Sequence, residues 1–186
     1  MSQQELLVKV VSELEKLNIT YFITGSIAST IQGEPRATHD IDLVVNINTS
    51  QISEFTQLFQ MPDYYLDEEA AQDALKKKGM FNLIDTNSGD KIDFWILTND
   101  PFDQSRFRRR IKINAFNREL NVSSPEDTIL MKLKWAKLSG GSEKQLNDCR
   151  SIFEFQKDNL DFTYINLWVN KLDLQSYWEK TQNQTR

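Results

Sequence analysis

Three aspartates lie inside otherwise apolar segments of the sequence. Asp40 and Asp42 alternate with apolar residues in DIDLVV, and Asp93 has apolar neighbours in KIDFWIL. In a strand, successive side chains point to opposite faces, so Asp40 and Asp42 share one face. Adjacent carboxylates repel each other unless a cation compensates them, and Mg²⁺ is a hard cation that prefers oxygen ligands. If the two strands are neighbours, Asp93 completes the ligand set of a two-metal site, whose cations lie about 3.5–4 Å apart.

The residues before DIDLVV favour a phosphate ligand. Gly25 and Ser26 lie where the short strand YFIT turns into a helix, and free N–H groups and the helix dipole attract anions at such a turn. Arg36 and Thr38 add a cation and a hydroxyl group in the loop that leads to Asp40. The alternative interpretation of DID alone is a pair of exposed aspartates on an edge strand.

This combination of motifs resembles the nucleotidyltransferase superfamily with the DNA polymerase β-like fold. The segments RATHDIDLVV, SPEDTILMKLKWAK and QLNDCRSIFEF are more narrowly similar to AbiEii-type and related minimal bacterial nucleotidyltransferases, over roughly residues 20 to 155. The resemblance implies that Asp40 and Asp42 coordinate the metals and the triphosphate. It also implies that Asp93 holds the catalytic metal and helps to activate the acceptor, while Gly25 and Ser26 contact the β- and γ-phosphates.

The reaction implied is attack of a hydroxyl group on the α-phosphorus of an NTP such as ATP, with two Mg²⁺ ions and release of pyrophosphate. The acceptor is RNA such as tRNA, a protein side chain, or a small molecule such as an aminoglycoside, and a toxin–antitoxin or resistance role follows from these choices. A non-catalytic nucleotide-binding module, or an interaction module with a cognate antitoxin or other partner protein, is the alternative. The presence of all three mutually repelling carboxylates favours the enzyme.

Two sets of charged residues have roles that the sequence leaves open. Lys132 and Asp148 lie on apolar stripes of predicted helices, where an unpaired charge is costly. An inter-helix salt bridge, or a lysine that reaches out to solvent, is one interpretation, and nucleotide binding is the one implied by the AbiEii-like pattern. The segment RFRRRIK is predicted to be a strand with basic residues on one face, which is either solvated or holds the phosphates of an acceptor. These residues are Arg106, Arg108, Arg110 and Lys112.

The elements that position these residues predict an α/β (α+β) fold. Residues 1–122 are expected to form a nucleotidyltransferase-like mixed sheet flanked by helices. MFNLID and KIDFWIL are predicted to pair antiparallel across NSGD, and RELNV to complete a later hairpin. Residues 123–186 are expected to form a helical bundle that begins at the SSPED capping signal.

Composition excludes several classes of function. The 186 residues carry a net charge of −5, which argues against a chain built as a whole for nucleic-acid binding. Cys149 is the only cysteine and His39 the only histidine, so a disulfide, a thiolate metal site and a histidine-based metal site are not expected. The N-terminus does not resemble a signal peptide and no segment is long and apolar enough for a membrane span, so a cytoplasmic protein is expected.

Overall fold

The computed structural model describes residues 1–35, 37–38 and 40–183. The helices are α1 (Gln3–Lys16), α2 (Gly25–Gln32), α3 (Thr49–Thr56), α4 (Glu68–Lys77), α5 (Pro101–Arg108), α6 (Pro125–Leu138), α7 (Glu143–Gln156), α8 (Phe162–Lys171) and α9 (Gln175–Asn183). The strands are β1 (Thr20–Thr24), β2 (Asp40–Asn46), β3 (Tyr64–Tyr65), β4 (Met80–Asp85), β5 (Lys91–Ile96), β6 (Ile111–Ala115) and β7 (Arg118–Val122). The chain divides into two compact units. One comprises residues 1–26 and 38–122, and the other comprises residues 27–37 and 123–186.

The strands of the described residues form one mixed sheet in the order β3-β4-β5-β2-β1-β7-β6. β2 is parallel to β5 and β1 is parallel to β7, whereas the other neighbouring pairs are antiparallel. This confirms the predicted mixed α/β architecture. It also confirms the two predicted antiparallel pairs, β4 with β5 and β6 with β7.

The two faces of the sheet have different neighbours in the first unit. On one face, Phe94 of β5 stacks on Phe81 of β4 and packs edge-on against Phe55 of α3. On the opposite face, Phe22 of β1 lies in an apolar cluster that receives Phe107 of α5. Val44 of β2 and Trp95 of β5 belong to this same cluster. Because side chains alternate between the two faces along each strand, the aspartates of β2 and β5 lie on the face that α5 covers in part.

The helix α5 corrects the strand that the sequence predicts for RFRRRIK. Asp100 caps this helix, accepting from two backbone N–H groups, and Pro101 occupies its first turn. Arg106 is therefore buried on a helix, with its Nε donating to Asp103 at 3.0 Å and its guanidinium 5.3 Å from the ring centroid of Phe22. The prediction of one basic strand face is wrong, since β6 begins only at Ile111.

The second unit is helical from α6 onward, as the sequence predicts for the region that begins at residue 123, and it also contains residues 27–37, which were expected in the α/β core. α6 begins where Ser124 accepts from the backbone N–H of Asp127, with Pro125 in the first turn, and it ends before Gly140. Gly140 and Gly141 have positive φ, which is typical of a helix terminus. In the same unit the side chain of Gln32 donates to the carbonyl of Ser123 at 2.5 Å. Among the described residues, no helix combines the length and apolar character that a membrane span requires.

Candidate active site

The register of the central strands brings the predicted aspartates together. Asp42 of β2 is the direct partner of Asp93 on β5, and Asp40 is the direct partner of Lys91. Neighbouring strands lie about 4.8 Å apart, and directly paired side chains point to the same face. All three carboxylates therefore lie on one face of the sheet, as a shared metal site requires.

Lys91 places a cation within this group of carboxylates. Its Nζ lies 2.9 Å from Oδ2 of Asp93, and the side chain of Lys91 is 36% exposed whereas that of Asp93 is 12% exposed. The hydrogen bond to Asp93 raises the pKa of Lys91, and the charges of Asp93, Asp40 and Asp42 add to this effect although partial burial opposes it. Lys91 is therefore an ammonium ion that neutralises part of the acidic charge of this face.

The remaining carboxylate oxygens have distinct surroundings. Oδ1 of Asp42 accepts from the indole Nε1 of Trp95 at 3.1 Å, which fixes the orientation of that carboxylate. Oδ1 of Asp93 is buried and has no hydrogen-bond partner within the described residues. Asp40, at the start of β2, is exposed. A buried carboxylate oxygen without a donor is unfavourable, so this oxygen is suited to a cation.

The start of α2 lies against the carboxylate of Asp42. Gly25 has φ +64°, and a Cβ added at this position would lie only 2.0 Å from Oδ2 of Asp42. The helix begins at Gly25 directly after β1, as the sequence predicts for a strand-to-helix turn. The absence of a side chain therefore permits both the left-handed backbone and the close approach of the acid.

The substitution Gly25→Ala is expected to lower both stability and activity. The positive φ alone costs about 1–2 kcal/mol for an alanine. The added methyl group also displaces the Asp42 carboxylate, and a shift of about 1 Å in a reacting group lowers a rate by roughly 10²-fold. Urea unfolding and nucleotidyl transfer are the two measurements.

Gly89→Ala is the matched control for this prediction. Gly89 also has positive φ, at +76°, but an added Cβ meets nothing within 4 Å. The control is therefore expected to show the cost of backbone strain and unchanged transfer activity. Equal losses of activity in the two variants would contradict the proposed contact between Gly25 and Asp42.

The structure describes three of the four predicted phosphate-binding residues at the start of α2 and before β2. Ser26 is buried in the first turn of α2. The Oγ1 of Thr38 accepts from the backbone N–H of Asp40 at 3.4 Å, so it orders the start of β2. Arg36 and His39 lie outside the described residues. The roles of Gly25, Ser26, Arg36 and Thr38 toward a phosphate remain predictions.

The face of the sheet that carries Asp40, Asp42 and Asp93, the acidic face, fits a divalent cation only in part. No group of three or more His, Cys, Asp or Glu side chains is placed to hold a metal ion in the part of the chain that the structure describes. The donor types are nevertheless those that Mg²⁺ prefers, and Oδ1 of Asp93 is available. The other oxygen of Asp93 is held by Lys91. The carboxylates therefore match the donor chemistry of Mg²⁺, with one oxygen of Asp93 occupied by the ammonium of Lys91.

Sequence reasoning did not identify Lys91 or Trp95 as residues of this site. Both share a face with Asp93 because they lie two residues before and after it in β5. The signal was thus present in the alternation of KIDFW. Their contacts with Asp93 and Asp42 depend on strand register, which the alternation alone does not give.

Lys132 and Asp148 form an ion pair inside the second unit. Nζ of Lys132 on α6 donates to Oδ2 of Asp148 on α7 at 2.7 Å, and the two side chains are 6% and 7% exposed. Cys149 lies beside them, and burial raises the pKa of its thiol. The inter-helix salt bridge, one of the two interpretations from the sequence, is therefore present. The other interpretation, contact with a nucleotide, remains a prediction.

Comparisons with known proteins identify the fold. No protein-family model matches the chain, and no curated protein matches it significantly in sequence. Several solved structures do match. The antibiotic-resistance factor ANT(2'')-Ia in complex with adenylyl-2''-tobramycin is 13% identical with a TM-score of 0.61, and the match covers 95% of this chain and 99% of that chain.

Two further structures extend the match. An antigenic nucleotidyltransferase-like protein from Paracoccidioides brasiliensis is 16% identical with a TM-score of 0.53, over 95% of this chain and 92% of that chain. The lincosamide antibiotic adenylyltransferase LnuA, bound to lincomycin, is 14% identical with a TM-score of 0.52, over 78% of this chain and 93% of that chain. The narrower AbiEii-type resemblance remains a prediction. The chain shares the fold of these solved structures, among them an adenylyltransferase and a nucleotidyltransferase-like protein, and this is the fold that its motifs predict.

Proposed function

We propose that this protein is a Mg²⁺-dependent nucleotidyltransferase that moves an NMP from an NTP to a hydroxyl group of an acceptor. The observation that carries the proposal is the direct pairing of Asp42 with Asp93 on neighbouring parallel strands, with Asp40 on the same face. The start of α2 lies against the same carboxylate of Asp42. Two structures with matching folds support this assignment: one is named a lincosamide antibiotic adenylyltransferase, and the other is a complex with adenylyl-2''-tobramycin.

The residues of the site have complementary tasks in such a reaction. Asp40, Asp42 and Asp93 would hold Mg²⁺, which supplies positive charge to the attacking and leaving oxygens. The backbone N–H groups of Gly25 and Ser26 lie at the start of α2, where the positive end of the helix dipole would favour the phosphates. Trp95 holds the Asp42 carboxylate in its orientation through Nε1. Catalysis then depends mainly on positioning and charge neutralisation.

The balance of the proposed step is simple. The acceptor oxygen forms a bond to the α-phosphorus, and the bond from that phosphorus to the β-phosphate oxygen breaks, releasing pyrophosphate. The hydroxyl proton passes to a carboxylate, for which Asp93 is the proposed base through Oδ2, the oxygen that contacts Lys91, while its buried Oδ1 is proposed to hold the cation.

A small cationic acceptor is the first candidate to test. The chain has a net charge of −5, and an acidic protein attracts cations and repels nucleic acid. Two matching structures contain antibiotic molecules, adenylyl-2''-tobramycin in one and lincomycin in the other. RNA and protein acceptors, and a toxin–antitoxin role, remain alternative outcomes of the same assay.

The proposal is tested by incubating the protein with Mg²⁺, each α-labelled NTP and three acceptors: tobramycin, total tRNA and a protein extract. Transfer of label to one acceptor, with ATP as the expected donor, is the expected result. No transfer from any NTP to any acceptor would contradict the enzymatic assignment. Nucleotide binding without transfer would instead favour the non-catalytic nucleotide-binding module.

A further inference from the structure

Lys91, one of the described residues of the acidic face, carries a charge that opposes the binding of a metal ion. It lies beside Asp40 in the strand register and its Nζ contacts Oδ2 of Asp93 at 2.9 Å. The carboxylate of this ion pair is largely buried, because the Asp93 side chain is only 12% exposed. The ammonium of Lys91 remains accessible from solvent, with a side chain 36% exposed.

An ammonium ion and a divalent cation compete for the same carboxylate oxygens. Each carboxylate of the face attracts either cation, and two cations within a few ångströms of each other repel strongly. With Lys91 in place, the described residues offer no three-ligand group for a metal. The ammonium of Lys91 therefore occupies one of the carboxylate oxygens that a divalent cation would need.

We propose that Lys91 is a built-in counterion of the metal-free site, which must release Asp93 before a divalent cation binds. The proposal rests on the assignment of Asp40, Asp42 and Asp93 as metal ligands in the proposed function. A lysine is suited to this exchange, since its ammonium is carried on a flexible four-carbon chain. Lys91 then lowers the metal affinity of the protein and stabilises the metal-free fold.

The experiment measures Mn²⁺ binding to the nucleotide-free protein by electron paramagnetic resonance of the free ion. Lys91→Gln is expected to bind Mn²⁺ at least about tenfold more tightly than the wild type, since it removes a positive charge a few ångströms from the ligands. Lys91→Arg, which keeps the charge, is expected to stay near the wild-type affinity. The matched control Lys112→Gln removes the same charge from the exposed pair with Glu119 and is expected to change nothing.

Thermal unfolding gives a second readout that is independent of activity. Lys91→Gln leaves Asp93 without its cation, so its Tm without metal is expected to fall below that of the wild type. Saturating Mn²⁺ is expected to raise the Tm of Lys91→Gln more than that of the wild type, because a ligand that binds the native state stabilises it. If the ion pair were purely structural, Lys91→Gln would lower the Tm without metal, but Mn²⁺ would not raise its Tm more than that of the wild type.

The remaining outcomes separate this inference from the proposed function. Unchanged or weaker Mn²⁺ binding in Lys91→Gln, with binding abolished by Asp42→Asn, would overturn the role of Lys91 and leave the metal site intact. No Mn²⁺ binding by any variant would overturn both. If Lys91→Gln folds only with Mn²⁺, the inference is supported, whereas failure to fold with or without Mn²⁺ would overturn it.

Discussion

Replacing Asp42 with asparagine is expected to lower the rate of nucleotidyl transfer by roughly 10³-fold. Asp42 lies between the start of α2 and Asp93, so it is placed to act on both the phosphates and the cations of the proposed reaction. Asparagine keeps the shape of the side chain and an oxygen that accepts from Trp95, but it removes the negative charge. The rate is measured with labelled NTP and Mg²⁺, on whichever acceptor the wild type modifies.

The folded state of Asp42→Asn is not expected to be lost. The substitution relieves repulsion between neighbouring carboxylates and preserves the hydrogen bond from the indole of Trp95. Asp73→Asn, which alters an exposed carboxylate paired with Lys77 on α4, is the matched control and should retain full activity. Wild-type rates in Asp42→Asn, with unchanged Tm, would contradict the catalytic assignment of Asp42.

Replacing Lys132 with methionine is expected to destabilise the protein by about 3–5 kcal/mol. The substitution leaves the carboxylate of Asp148, which is 7% exposed, without the ammonium that contacts it at 2.7 Å. Urea unfolding measures the change in the free energy of unfolding. Lys157→Met, which breaks a more exposed pair with Glu154 at 3.9 Å, should cost about 1 kcal/mol or less.

The double variant Lys132→Met with Asp148→Leu separates the two interpretations of this pair. Replacing both charges of a buried pair by apolar side chains is often neutral, so most of the stability lost in the single variant should return. Nucleotide affinity is then measured on the stable double variant. Wild-type affinity would make the pair structural only, and a loss of affinity in a folded protein would support the predicted contact with the nucleotide.

Local sequence signals were sufficient for most elements near the site. The alternation in DIDLVV predicts β2, and the glycine-serine pair marks the turn from β1 into α2. The SSPED segment predicts the start of α6, where Ser124 is the capping residue. These features could be predicted because alternation and capping depend on residues close together in the chain.

One segment shows the limit of such local patterns. The alternation of basic and apolar residues in RFRRRIK predicts a strand, yet residues up to Arg108 form α5. Asp100 and Pro101 carried the opposing signal of a helix start. The packing of Phe107 against the apolar cluster that contains Phe22 stabilises the helix, and that contact joins residues far apart in the sequence.

The sequence by itself determined which side chains of each strand share a face, and hence that Asp40 accompanies Asp42. Only the tertiary structure decided that Asp42 pairs with Asp93 and that Lys91 holds the same carboxylate. The physical reason is that strand register is set by pairing between distant segments and by burial of their apolar faces. A slip of one residue would have moved Asp93 and Lys91 to the opposite face of the sheet.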